Sequence, residues 1–185
     1  HVQPMHNIKM DIKNRYVKAQ GGWKLPHLSN GGEIHSLFDF WIDESALDGE
    51  TSIKVAKAFV TYQDLDGKMH KSDVAWLKLD ILPIAAFDAI TVNPKVKRRD
   101  QELEVAALRR RIQSAAYNRD WQSAERLLAE AKIVAHGDEW LSQSLNELER
   151  LVARRNSANV GKEAWYMAEK LDKRQVARHE TWKYS

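Results

Sequence analysis

The hydrophobic period of the chain changes at Asn93-Pro94, and this change limits the possible folds more than any other feature. Before this point, apolar and polar residues alternate, which is typical of half-buried strands. After it, apolar residues recur every three or four positions, which is typical of amphipathic helices. Because proline suits the first turn of a helix and disfavours helix at the preceding residue, a helical region is predicted to begin here.

The first part of the chain is predicted to form antiparallel strands. Apolar and polar residues alternate in "NIKMDIK" (residues 7–13), and "EIHSLFDFWI" is also rich in strand-forming residues, whereas "QGGWKLPHLSNGGE" interrupts the strands with two glycine pairs and a proline. Residues 51–82 predict a long hairpin whose turn contains Asp66-Gly67. Since hairpins follow one another without a crossover helix, residues 1–94 are predicted to be an antiparallel β-sandwich domain.

The second part, residues 95–185, is predicted to be a helical bundle domain. Four segments have helical period, the last over about residues 161–179, and Gly137 and Asp138 are predicted to end one helix and cap the next. Short connections predict two antiparallel helical hairpins, and the fold class is therefore α+β. The predicted inward positions are Val105, Leu108, Ile112; Ala124, Leu127, Leu128, Ala131; Leu141, Leu145, Leu148, Leu151, Val152; and Ala164, Trp165, Ala168, Leu171, Val176.

Composition restricts the class of protein. A hydrophobic fraction of 43% is too high for a disordered chain, and the sequence has no apolar run near the roughly 20 residues of a membrane span. The chain contains no cysteine, which excludes disulfides and thiolate chemistry and favours a cytoplasmic location. It begins with "HVQPMHNIKM", neither an initiator methionine nor a signal peptide, so we expect a piece of a longer protein.

Candidate metal and catalytic motifs are incomplete. Asp43 and Ser45 match an Asp-x-Ser-x-Ser cation site, but Leu47 replaces its second serine, so a polar loop is the better interpretation. "DLDGK" lacks the later acidic ligand of a calcium loop and is interpreted as a hairpin turn. The histidines lack zinc-protease spacing and are expected at the surface: His1, His6, His27, His35, His70, His136 and His179. We therefore predict no catalytic residue, no metal site and no cofactor.

Charge differs between the two parts of the chain. Residues 1–94 carry 10 Lys/Arg and 12 Asp/Glu, a net charge of −2, and residues 95–185 carry 19 and 14, a net charge of +5. The clusters "KVKRR" (95–99), "RRR" (109–111) and "ARR" (153–155) could contact nucleic-acid phosphates. Acidic residues lie close to them, which instead predicts solvated helix faces with i, i+4 ion pairs.

The chain contains seven tryptophans, a high count for 185 residues. Trp41, Trp76, Trp121, Trp140 and Trp165 are expected to pack in the cores and between the domains, since small domains need large apolar side chains. An exposed aromatic platform for a sugar or a peptide is the alternative.

Three segments resemble, in order, the C-terminal region of bacterial proteins that carry a von Willebrand factor A domain. "LPHLSNGGEIHSLFDFWI" resembles a turn and strand of that region, "VTYQDLDGKMHKSDVAWLKLDI" resembles its "Y.D.dG" hairpin, and "NPKVKRRDQELEVAALRRRIQSAAYNRDWQSAERLLAEA" resembles its first helical pair. The resemblance covers roughly residues 8–135. It implies a small β-sandwich and helices that follow an A domain. The A domain and its metal site are not among these residues.

These observations predict a non-enzymatic fragment that mediates protein interaction or scaffolding. The expected partner is another protein or the A domain of the same chain. A nucleic-acid-associated accessory domain that uses the basic helical half is the alternative. The sequence does not predict the oligomeric state.

Overall fold

A computed structural model describes residues 1–19, 21–28, 32–47, 49–173 and 175–177. The chain divides into two compact units. The β unit consists of His1–Leu25 and Phe38–Thr91, and the helical unit consists of Pro26–Leu37 and Val92–Ser185. Antiparallel strands come first and a bundle of four long helices follows, so the predicted α+β fold class is confirmed.

The described residues form the following elements in chain order: β1 (Val2–Pro4), β2 (Ile8–Ile12), β3 (Val17–Ala19), β4 (Gly22–Lys24), β5 (Gly32–Ile34), β6 (Phe38–Ile42), a short 3₁₀ turn (Glu44–Ala46), β7 (Ser52–Ala58), β8 (Thr61–Gln63), β9 (Met69–Lys71), β10 (Ala75–Asp80), α1 (Ile84–Asp88), α2 (Pro94–Tyr117), α3 (Trp121–Val134), α4 (Glu139–Ala153), α5 (Ser157–Asp172) and β11 (Gln175–Ala177).

The β unit contains a three-stranded antiparallel sheet in the order β1-β7-β10, together with the antiparallel pairs β2·β6, β3·β4 and β8·β9. The predicted long hairpin is confirmed, because β7 and β8 return as β9 and β10, and Gly67 in its turn has φ of 82°. In β2 the buried or half-buried Ile8, Met10 and Ile12 alternate with exposed Lys9 and Asp11, as predicted.

The glycine pair at residues 21–22 does not interrupt the strands as expected. Gly21 has φ of 78° and lies in the turn that joins β3 to β4, so the first glycine pair makes a hairpin. Trp23 of β4 then packs edge-on against Phe38, with ring centroids 5.4 Å apart. Glycine adopts positive φ at little cost, which explains why the same residue type suits a tight turn inside a strand region.

In the helical unit, α2 packs against α3 and α5, and α4 also packs against α3 and α5. Connections of three or four residues make successive helices antiparallel neighbours. The helices begin where the sequence places caps: the side chains of Asn93, Asp120 and Asp138 accept backbone N–H groups of the first turns. The buried core consists of Val105, Ala106, Leu108, Ile112, Ala116, Ala124, Leu127, Leu128, Ala131, Ala135, Leu141, Leu145, Leu148, Val152, Val160, Ala164, Ala168 and Leu171.

The α2–α3 and α4–α5 connections use the same turn. Arg119 and Arg155 lie in the left-handed region, with φ of 59° and 50°. The next residue, Asp120 or Asn156, donates its N–H to the carbonyl five residues back and caps the next helix with its side chain. One residue thus ends one helix and begins another, which keeps both connections short.

The end of the helical region differs from the prediction. The fourth long helix ends at Asp172, and Val176 lies in β11, which pairs antiparallel with β5. This pairing draws Pro26–Leu37 into the helical unit, so the division of the chain differs from the predicted domains, residues 1–94 and 95–185. Strand partners so distant in sequence leave no local signal.

Candidate interaction surface

The two sites considered for cations are built as turns. Asp43 Oδ1 accepts hydrogen bonds from Ser45 N at 3.0 Å and Ser45 Oγ at 2.6 Å, and caps the 3₁₀ turn. The Ser45 hydroxyl, followed by the Ser45 backbone N–H, lowers the pKa of Asp43. Over the described ranges, no group of three or more His, Asp or Glu side chains is placed to hold a metal ion. His179 lies outside these residues.

The "DLDGK" turn is closed by Asp64. Its Oδ1 accepts the backbone N–H groups of Asp66 and Lys68, and its Oδ2 lies 2.6 Å from His70 Nε2. The hydrogen bond with His70, followed by that with Lys68, lowers the pKa of Asp64. Both oxygens of this carboxylate make contacts inside the hairpin, and β8 and β9 pair on either side of the segment, so the predicted hairpin turn is confirmed.

Solvated faces were predicted for the basic clusters, and for four arginines that prediction is wrong. Arg99 and Arg109 are buried, and the side chains of Arg98 and Arg110 are only 21% and 18% exposed. Arg99 donates to Glu102 Oε2 (2.8 Å) and to the Leu171 and Asp172 carbonyls, and its Nε donates to the His35 carbonyl. It therefore joins α2, the end of α5 and the 26–37 segment of the helical unit.

Arg109 and Arg110 extend this buried network along α2. Arg109 donates to the carbonyl and hydroxyl of Ser144 in α4, with Glu163 3.8 Å away, and Arg110 pairs with the Asp172 carboxylate. Burial lowers the pKa of Arg109 to about 10, an effect that Glu163 partly opposes. The spacing from Val105 to Arg109 and Ile112 follows the apolar stripe, a signal that could have identified Arg109 from the sequence.

The tryptophans divide into two groups. Trp121 and Trp140 are half-buried against the helical core, in agreement with the expectation for these two residues. Trp41, Trp76 and Trp165 are 54%, 47% and 54% exposed, so the expectation of core packing is wrong for them. The prediction is wrong for Trp165 because Ala164 and Ala168 already occupy the inward positions of α5.

The largest run of exposed apolar side chains in the β unit lies between residues 74 and 90. Every residue of this run is exposed except Ile81, which is half-buried. Its large apolar side chains, between 40% and 79% exposed, are Val74, Trp76, Leu77, Leu79, Leu82, Ile84, Phe87 and Ile90. Single exposed apolar residues are ordinary, whereas a concentrated group makes this segment a candidate interaction site. We call this group the 74–90 surface.

Two structural elements present the 74–90 surface. β10 pairs with β7 and lies at one edge of the three-stranded sheet. The short helix α1 follows, and Ile84 and Phe87, three residues apart, lie on one side of it. Both the strand and the helix therefore expose apolar side chains. Alternation in "AWLKLD" predicted the strand, but it could not reveal that both faces of the strand are exposed.

Within the described residues, the structure has no helix long and apolar enough to cross a membrane. No family model, curated protein or solved structure matches the chain.

Proposed function

We propose that the chain is a non-enzymatic protein-interaction module. In this proposal it is the C-terminal region of a bacterial von Willebrand factor A domain-containing protein, and it binds the A domain through the 74–90 surface. The observation that carries the interaction role is the set of exposed apolar side chains from Val74 to Ile90. The resemblance of three segments, in order, to the region that follows an A domain supports the choice of partner.

The energetics favour binding at this surface. Ile84 and Phe87 are 79% and 64% exposed, and burying either side chain in an interface would contribute about 1.5–3 kcal/mol. Aromatic anchors surrounded by smaller apolar residues are typical of the energetic centre of protein interfaces. We place this function in the cytoplasm, in keeping with a sequence that contains no cysteine.

Burial of arginine weakens the alternative function in nucleic-acid binding. Arg99 and Arg109 contact Glu102 and Glu163 inside the bundle. Arg98 and Arg110 pair with Asp138 and Asp172. Phosphate contacts require basic side chains that can reach the surface. Glu102, Asp138, Glu163 and Asp172 neutralise these four arginines, so the net charge of +5 in residues 95–185 is unchanged, but the four guanidinium groups are not available to phosphates.

The proposal can be tested with a purified bacterial A domain from a protein in which segments similar to residues 25–42 and 60–81 follow that domain. We expect anisotropy of the labelled chain to show binding, and the double variant I84S/F87S to weaken it about tenfold or more. Leu65→Ser is the matched control, since Leu65 is fully exposed at the hairpin turn and lies outside the 74–90 surface.

Two results would overturn the proposal. One is A-domain binding that is absent, or that Ile84→Ser and Phe87→Ser leave unchanged. The other is a nonspecific DNA duplex that binds with steep salt dependence near about 0.15 M, which would favour the nucleic-acid alternative.

A further inference from the structure

The two edges of the three-stranded sheet differ in how well they are protected. β1, at one edge, has three residues and contains Pro4, which lacks an N–H group. β10, at the other edge, has six residues without proline, about 20 Å of strand, and in the described part of the chain it pairs only with β7. Half of its backbone N–H and C=O groups therefore point away from the sheet, as an unpaired edge requires.

The two faces of β10 have different chemistry. Leu77 and Leu79 stand opposite Ala56 and Ile53 on one face, and are 40% and 43% exposed because no strand lies beside them in the described residues. Trp76 and Lys78 stand opposite Lys57 and Lys54 on the other face. These residue pairs share a face because directly opposed side chains in a ladder do so. The register shifts between Leu77 and Lys78, which places Lys54 and Ala56 on opposite faces although they are two residues apart in β7.

The Trp76 face is positively charged. Lys54 Nζ lies 5.1 Å from the centroid of the Trp76 ring, which brings this lysine over the edge strand. Lys54, Lys57 and Lys78 provide three positive charges, and Asp80, opposite Ser52, provides one negative charge. A neighbouring strand would thus meet an apolar face on one side and a basic face on the other.

We infer that the outer edge of β10 binds an extended segment of a protein partner as an added strand, and that this segment alternates apolar and acidic residues. The inference rests on the proposed protein-interaction function and specifies how the partner is recognised. The edge hydrogen bonds supply affinity, and alternation supplies specificity. Apolar residues of the added strand cover Leu77 and Leu79, while its acidic residues lie beside Lys78 and Lys54.

A second copy of this chain would not neutralise the basic face. If β10 of one copy paired with β10 of another, the two lysine-bearing faces would join into one sheet surface. That surface would carry Lys54, Lys57 and Lys78 from each copy against one Asp80 from each copy, and it would remain positively charged. A segment with acidic residues on this face neutralises that charge, and we assign it as the occupant.

The test uses three labelled peptides of about ten residues, the length of a long strand. The first alternates valine with glutamate, the second has the same composition in two separate blocks, and the third alternates valine with lysine. We expect anisotropy to show about tenfold tighter binding of the first peptide than of the other two. Binding of the block peptide with equal affinity would overturn the inference.

Variants separate edge recognition from general stickiness. The double variant K54E/K78E is expected to lose about tenfold affinity for the valine–glutamate peptide and to gain affinity for the valine–lysine peptide. Lys68→Glu, an exposed residue of the hairpin turn, is the matched control and should change neither. If K54E/K78E and Lys68→Glu changed the affinity for the two peptides equally, the assignment of the acidic residues to the Lys54 and Lys78 face would be wrong.

The hydrogen bonding of the added strand is tested with a valine–glutamate peptide methylated on alternate backbone nitrogens. Methylation of the edge-facing N–H groups should abolish binding, and the unmodified peptide should slow amide exchange in β10. Equal binding of the methylated peptide, or a dimer of the chain formed through β10, would overturn the inference. If A-domain binding persists while the peptides fail, only this inference falls. If the peptides bind and the A domain does not, only the proposed partner falls.

Discussion

In the helical unit, four helices enclose Ile112, Leu141, Leu145 and Leu148, each 0% exposed, whereas the described apolar residues that the β unit buries are Ile8, Val55 and Ala56. The helical unit is therefore held together by side-chain burial and a buried arginine network. The β unit depends more on backbone pairing and leaves its larger apolar side chains outward. We therefore expect the helical unit to be the more stable of the two, whereas the β unit carries the surface on which the proposed function depends.

The largest expected effect tests the arginine network of the helical unit. Arg99→Ala should lower the free energy of unfolding by about 3–5 kcal/mol, because buried Glu102 loses a charged partner at 2.8 Å, although Arg98 stays at 3.6 Å, and the Leu171 and Asp172 carbonyls lose this donor. Urea unfolding followed by ellipticity at 222 nm measures this loss. Arg111→Ala is the control, since Arg111 is 58% exposed beside Glu130 and should cost less than about 1 kcal/mol. Equal costs would mean that the buried network contributes little.

The second prediction compares leucines of the two units directly. Leu145→Ala removes a fully buried side chain and should cost about 2–5 kcal/mol, because a cavity remains in the core. Leu79→Ala removes a side chain that is 43% exposed and should cost less than about 1.5 kcal/mol. Urea midpoints of the two variants provide the comparison. A cost for Leu79 that equals the cost for Leu145 would show that β10 is more deeply packed than its exposure indicates.

The smallest effect compares one carboxylate in each unit. Hydrogen bonds from His70 and Lys68 lower the pKa of Asp64, and those from Ser123 lower the pKa of Asp120. A lowered pKa means that each aspartate stabilises the fold above its ordinary value of 3.8, and that this contribution is lost as pH falls through the lower folded-state pKa.

Carboxyl NMR titration measures both values. We expect His70→Ala to raise the pKa of Asp64 toward 3.8 and to leave that of Asp120 unchanged, and Ser123→Ala to do the reverse. The shift should be incomplete in each variant, because backbone N–H groups still donate to both carboxylates. A pKa of Asp64 that does not respond to His70→Ala would show that the backbone of the turn alone holds the carboxylate.

The sequence predicts elements where the signal is local. The alternation in residues 8–12, the helix start at Asn93-Pro94 and the cap at Asp138 depend on neighbours only a few positions away, and each agrees with the structure. The hairpin around Gly67 could also be predicted, because its turn depends on the adjacent residues Asp66 and Gly67.

Burial across long distances could not be predicted in this way. Arginine is mostly exposed in proteins, so the residue types of Arg99 and Arg109 outweighed their positions in the apolar stripe. Alternation around Leu77 and Leu79 shows which side chains share a face, but not whether anything covers that face. The 74–90 surface, on which the proposed function rests, therefore required the three-dimensional arrangement.

The pairing of β5 with β11 has a consequence for synthesis of the chain. Glu33 leaves the ribosome long before its partner Val176, and at about 5–20 residues per second the interval is roughly 7–30 s. During that time the 26–37 segment has been synthesised, whereas the helices of its unit are synthesised later. The helices of the bundle fold from local contacts, whereas this pairing closes a long loop and is expected to form at the end. Emergence of residues 175–177 from the ribosome, rather than formation of any helix, thus sets the moment at which this pairing can form.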